Sequence, residues 1–158
     1  MLTENQVGRV WQRMFEAEVR SLYFADLAAR HSRRKRIITG VIFFLSSGAA
    51  AALVGALPAL IPIALSLIVA ILTAYSIAVN LDMRISTLSK LHYEWNRLDS
   101  EYERLWHHWR DDDAEDVLDD LVKRASDVSV IATEFPVDEE QIGKWTKFVQ
   151  SRLSRVSA

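Results

Sequence analysis

The chain contains no cysteine. That removes disulfide frameworks, zinc–thiolate sites and cysteine nucleophiles together. Backbone punctuation is also sparse, with five glycines and three prolines in 158 residues. Gly8, Gly40, Gly48, Gly55 and Gly143 are too scattered to form a phosphate-cradling loop. A His-Glu-x-x-His pair and a calcium loop of spaced acids are missing too. The most informative absence is charge: Ile37 through Leu81 carry no charged side chain at all.

A hydrocarbon core about 30 Å thick takes roughly 20 helical residues, and this run holds two such lengths. A single helix would overshoot the bilayer and place Pro58 and Pro62 in its interior, where each removes an amide donor and clashes with the preceding turn. The segment Gly55-Ala56-Leu57-Pro58-Ala59-Leu60-Ile61-Pro62 therefore reads as a tight turn between a first span near residues 36–56 and a second near 60–81. The competing arrangement, a hairpin buried in a soluble helical protein, lacks enough remaining chain to wrap two helices that are apolar all round. A cleaved signal peptide is not expected, because patterned, charged sequence precedes the apolar run.

Charge outside the run sets orientation. The first 36 residues hold eight basic and four acidic side chains, a net +4, so the remainder carries −6 of the overall −2. Arg33, Arg34, Lys35 and Arg36 abut the first span, and such a cluster is retained on the cytoplasmic side and meets lipid headgroups. Arg84 and Lys90 follow the second span, so both termini are expected in the cytoplasm. The basic cluster is too short, and too far from any aromatic stacking platform, to suggest nucleic acid.

The arms are amphipathic. Val7, Val10, Trp11, Met14, Phe15, Leu22, Tyr23 and Leu27 recur at helical spacing before the membrane. This face suits the lipid interface or, the preferred expectation, a matching stripe in the second arm. That stripe is Leu81, Ile85, Leu88, His92, Trp95, Leu98, Tyr102, Leu105 and Trp109, nearly a heptad repeat and a candidate cytoplasmic assembly surface from Ile85 onward. The second span is expected to continue unbroken as one rod from about Leu60 to Arg110. Asp111-Asp112-Asp113 then stops it and caps a new helix bearing Val117, Leu118, Leu121, Val122, Ala125, Val128 and Ile131. Pro136 separates a last helix, opened by Asp138, Glu139 and Glu140, with Ile142, Trp145, Phe148, Val149 and Leu153 as its contact face.

The expected fold is an all-α membrane protein. It has an N-terminal amphipathic helix (1–35), a two-helix transmembrane hairpin (36–81), and a cytoplasmic region (82–158) formed by the long extension of the second span and two further short helices.

Chemistry is thinly represented. His107 with Asp111 and His108 with Asp112 are four apart, but the pairs dissolve if the helix ends there, so no metal site is expected. The acids between Asp111 and Asp120 read as a solvated field that could attract a cation or basic surface. His92 reads as a packed or hydrogen-bonded interface histidine. No serine has a convincing base and orienter, so neither an enzyme nor a cofactor is expected.

In the apolar run, Ser47, Ala51 and Gly55, with Gly48 and Ala52, have the small-xxx-small spacing of close helix packing. Ser66, Thr73, Ser76 and Asn80 place hydroxyls and an amide along the second span and are the pore-lining candidates. Two helices cannot enclose water, so conduction requires a homo-oligomer.

This layout resembles the SLATT family of bacterial two-transmembrane effector domains. The resemblance rests on Trp11, Met14, Phe15, Tyr23 and Leu27, on the Arg33–Arg36 edge, on the turn at Gly55 to Pro62, and on Leu91-His92-Tyr93-Glu94-Trp95. It implies an anti-phage effector that assembles in the bacterial inner membrane and dissipates ion gradients. The trigger would come from a cytoplasmic sensor protein or a nucleotide messenger. The competing reading is a non-conducting membrane anchor or scaffold that recruits a cytoplasmic partner.

Overall fold

A computed structural model of the chain describes residues 1–47 and 60–156. Five helices appear among them: α1 (Glu4–Ser46), α2 (Leu60–Ala78), α3 (Leu81–His107), α4 (Ala114–Ala132) and α5 (Glu139–Val156). The protein is all-α, as its 3.6-residue periodicities require. The turn at Gly55 to Pro62 lies outside the described residues except for its last helical positions.

Local chemistry explains most boundaries. α1 starts in a capping box, in which Thr3 Oγ1 accepts the Gln6 amide at 3.4 Å and Gln6 Oε1 accepts the Thr3 amide at 2.7 Å. α5 starts at an N-cap, with the Asp138 carboxylate accepting the Gln141 amide at 3.2 Å while the Asp138 amide goes to the Tyr23 hydroxyl. The start of α4 differs from the sequence expectation: Asp113 occupies the N-cap but makes no side-chain capping bond. Glu115 and Asp116 in the first turn still face the positive end of the helix dipole.

The unbroken rod from Leu60 to Arg110 is corrected by a break at Val79 and Asn80. Asn80 has φ +45°, a left-handed conformation that asparagine tolerates better than most side chains. Its amide donates to the Ile77 carbonyl at 3.1 Å, tightening the last turn of α2. The rod also ends at His107, short of Arg110. A helix break therefore needed neither glycine nor proline.

The chain divides into two compact units, Met1–Leu27 with Leu88–Ala158, and Ala28–Thr87. The first is an antiparallel helical bundle. Leu2 donates its amide to the Trp109 carbonyl, the Trp11 and Trp106 rings lie 5.5 Å apart, and the Arg20 guanidinium sits 4.8 Å above the Trp95 ring, so α1 and α3 run in opposite directions. Gln6 reaches Glu115 and Arg20 reaches Ser129, which sets α4 parallel to α1. Tyr23 meets Asp138 and Glu18 meets Arg152, which sets α5 antiparallel to it. The order is up-down-up-down, with short connections joining α3 to α4 and α4 to α5.

The α3 stripe is buried by the chain itself. Leu88, Leu91, Trp95, Leu98, Tyr102 and Leu105 are all at most 4% exposed, spaced alternately by three and four. Leu91 takes the core position expected for His92, so the alternation is regular from Leu88 to Leu105 and the doubled step of three moves to Ile85–Leu88–Leu91. His92 is half-buried instead, with Nδ1 at 3.0 Å from both the hydroxyl and the carbonyl oxygen of Ser21. A carbonyl only accepts, so Nδ1 carries the proton. Opposite, Val10, Ala17, Ser21 and Phe24 form the buried line of α1, while Trp11 stays 40% exposed. Leu118, Leu121, Ala125 and Val128 bury the inner face of α4, and Val149 that of α5.

In the second unit, the C-terminal part of α1 and α2 lie antiparallel. Lys35 pairs with Asp82, and the Arg34 guanidinium lies 5.3 Å over the Tyr75 ring. Large apolar side chains cover its outside, among them Ile37, Phe43, Phe44, Ile63, Leu67 and Ile77.

Candidate functional site

The apolar segment is exposed to a degree that water does not tolerate. The 18-residue stretch of mean hydropathy 2.1 within Ile63–His107 has none of its residues buried. Each large aliphatic side chain left in water forgoes about 1.5–3 kcal/mol of burial. A helix of this length and composition, uncovered by its own chain, is consistent with a membrane-associated protein.

The structure places the pore-lining candidates unequally along this segment. Ser66 and Thr73 are exposed, and each hydroxyl donates to its own helix, to the carbonyls of Ile63 and Val69, both at 2.8 Å. Their oxygens keep acceptor capacity, so two exposed acceptors stand seven residues apart on an apolar helix. Ser76 is half-buried. Asn80 lies at the break, where its amide donates to Met83 Sδ at 3.6 Å, so it does not join Ser66 and Thr73 on a helical face. Among the packing candidates, Ser47 donates to the Phe44 carbonyl. Gly48, Ala51, Ala52 and Gly55 lie outside the described residues.

The basic cluster is similarly divided. Lys35 is held by Asp82, and Arg34, exposed like Arg33 and Arg36, lies over the face of Tyr75. His31 stands close by with Nδ1 buried and without a hydrogen-bond partner among the described residues. Burial first, then the charges of Arg84 and Arg34, lower its pKa, so it resists becoming one more cation in this collar.

Within the bundle, two charged arrangements escaped the periodicity. Glu101 accepts from Arg124 Nη1 and Nη2 and from Arg97 Nε, tying α3 to α4. The Arg124 hydrogen bonds hold the Glu101 carboxyl below its ordinary range. Asp99 lies near Glu18, Glu103 and Arg152, and its pKa is raised from 3.8 to about 6, by burial and then by those two carboxylates. A surplus of acids over arginine near Asp99 became visible only when α1, α3 and α5 met.

A half-open groove of about 370 Å³ runs along α1 beneath the end of α4 and the start of α5. Phe15, Val19 and Tyr23 contribute from α1, Phe135 and Val137 from the α4–α5 turn, and Ile142 from α5. Tyr23 anchors that turn: its hydroxyl accepts the Asp138 amide at 3.2 Å and donates to the Pro136 carbonyl at 3.5 Å. Nothing in the spacing marked Phe135 or Val137 as partners of α1, although the Pro136 punctuation beside them did mark the turn.

At the other end of the bundle, α3 stops at His107, so the His107–Asp111 and His108–Asp112 pairs span a turn rather than one helix face. His108 Nδ1 lies 2.9 Å from the Arg104 carbonyl. Among the described residues no group of three histidines or acids is placed to hold a metal ion.

No family model, curated protein or solved structure matches this chain. This is a small all-helical protein that has, among the described residues, one exposed apolar helix of membrane length and an antiparallel bundle.

Proposed function

We propose that this chain is a non-enzymatic two-span effector of the bacterial inner membrane, with both termini in the cytoplasm, that oligomerises and lets ions across on a signal received by its bundle. The carrying observation is the uncovered apolar surface of α2, on which Ser66 and Thr73 expose hydroxyls and Ser76 a half-buried one. Lipid satisfies the aliphatic side chains, and a water path between subunits satisfies the remaining acceptor capacity. Exposed Arg33 and Arg36 beside the span support the cytoplasmic assignment of both termini and contact with anionic headgroups. The resemblance to the SLATT family supports anti-phage defence as the setting, with a sensor protein or nucleotide messenger as the trigger.

The test is ion leakage from liposomes holding the full chain, compared with a Ser66→Ala, Thr73→Val, Ser76→Ala variant. These replacements remove hydroxyls and leave the helix backbone undisturbed. Loss of leakage with the oligomer retained supports conduction. An oligomer that never leaks refutes it.

A second reading, the membrane anchor or scaffold, is favoured by the α3 stripe. Its apolar area is consumed inside one chain, which leaves oligomerisation to the apolar helices or to other bundle faces. Under this reading the bundle recruits a partner and the hydroxyls only pack.

A further inference from the structure

We infer that the groove along α1 is a binding site for an uncharged aromatic small molecule carrying one hydrogen-bond donor. The inference concerns the bundle alone and stands whichever membrane role is correct. Three observations carry it.

The first is size and lining. A volume of about 370 Å³ lies within the span of small-molecule sites, which are lined by apolar and aromatic side chains with a few polar groups. Phe15, Tyr23, Phe24 and Phe135 give ring faces and edges from two separate elements, and Tyr23 and Phe24 already stand edge to face at 5.2 Å. An aromatic guest extends that arrangement, because ring quadrupoles favour offset and edge contacts.

The second is charge. The two charged side chains in the lining neutralise each other: Arg20 Nη2 and Glu16 Oε1 are 2.5 Å apart. Arg20 is occupied further by Ser129 and by the Trp95 face. A charged ligand would have to break this pair or sit beside a closed one, whereas an uncharged ligand leaves it intact.

The third is the remaining polar capacity. Thr146 Oγ1 donates to the Ile142 carbonyl at 2.9 Å and so presents only acceptor lone pairs. Gln12 makes no side-chain hydrogen bond among the described residues, so its amide can accept through the carbonyl or donate through the NH2. Thr146 favours a donor on the ligand, and the Gln12 carbonyl is a second group able to receive it.

Because the chain has no cysteine, Val137→Cys installs a single thiol at a groove residue that is 63% exposed. The full chain in nanodiscs is labelled with a maleimide while indole, an uncharged ring with one N–H, is titrated in. Indole should slow labelling of V137C and leave an exposed Ser100→Cys control unchanged, and indole-3-acetate should protect less well. Gln12→Met, at an exposed position, should raise the indole midpoint about fivefold, the loss of one hydrogen bond near 1 kcal/mol, without moving that of naphthalene, which has no donor. The proposal is overturned by no protection up to the solubility of indole, by equal slowing at both cysteines, by equal protection from the anionic ring, or by a Gln12→Met shift common to both probes.

Discussion

Replacing Asp99 by asparagine tests whether the bundle is assembled around an over-acidic junction. Asp99 on α3 stands near Glu18 of α1 and Glu103 of its own helix, with Arg152 of α5 the opposing charge, and Arg152 is already paired with Glu18. Its pKa of about 6, against an ordinary 3.8, means that the folded bundle holds this proton more tightly than the unfolded chain does. The stability this confers is fully present below about pH 4 and is lost as pH rises through about 6. A shift of about two units corresponds to about 3 kcal/mol in a dry site, and screening at this half-buried position reduces that to about 1–2 kcal/mol. Asparagine keeps the shape and cannot ionise. At pH 7.5 the Asp99→Asn bundle should therefore melt about 3–8 °C above the parent, with the difference vanishing near pH 4. All five tryptophans, Trp11, Trp95, Trp106, Trp109 and Trp145, belong to the bundle unit, so tryptophan fluorescence in detergent follows that unit without interference from the apolar helices. An Asp99→Asn melting point equal to or below the parent at pH 7.5, or an increment of the same size at both pH values, would refute the reasoning.

Two further substitutions probe other parts of the fold. Tyr102 is 1% exposed, its hydroxyl has no hydrogen-bond partner among the described residues, and burial raises its pKa. Tyr102→Phe should therefore leave the bundle unchanged or stabilise it by about 1 kcal/mol, where a satisfied tyrosine would lose stability, and fluorescence-monitored urea unfolding distinguishes the two. At the break after α2, Asn80→Gly should be tolerated, whereas Asn80→Val should cost about 1–2 kcal/mol because a β-branched residue resists φ +45°. Equal thermal stability of the two variants in detergent would show that the left-handed conformation is not required.

Much of the architecture was legible without coordinates because it rests on one-dimensional quantities. The uncharged run from Ile37 to Leu81 sets the apolar helices, since no helix face there offers a charged side chain to water and hydroxyls are few. Apolar spacing marked Leu88, Trp95, Leu98, Tyr102 and Leu105, and Pro136 marked the last turn. The failures also have physical causes. His92 and Leu91 are adjacent on the helix, and only the packing of Ser21 against the imidazole decides which of them enters the core. The break at Asn80 carries no proline or glycine, so the composition around it could not announce it.

What the sequence determined by itself is helicity, the apolar segment and the amphipathic faces, because these depend on side chains along one strand of chain. The tertiary structure decided which faces meet. It turned the α3 stripe inward, closed the Glu16–Arg20 pair beside an aromatic groove, and gathered Glu18, Glu103 and Arg152 near Asp99. Burial and electrostatic coupling depend on distances between residues far apart in the chain, and no local periodicity encodes those distances.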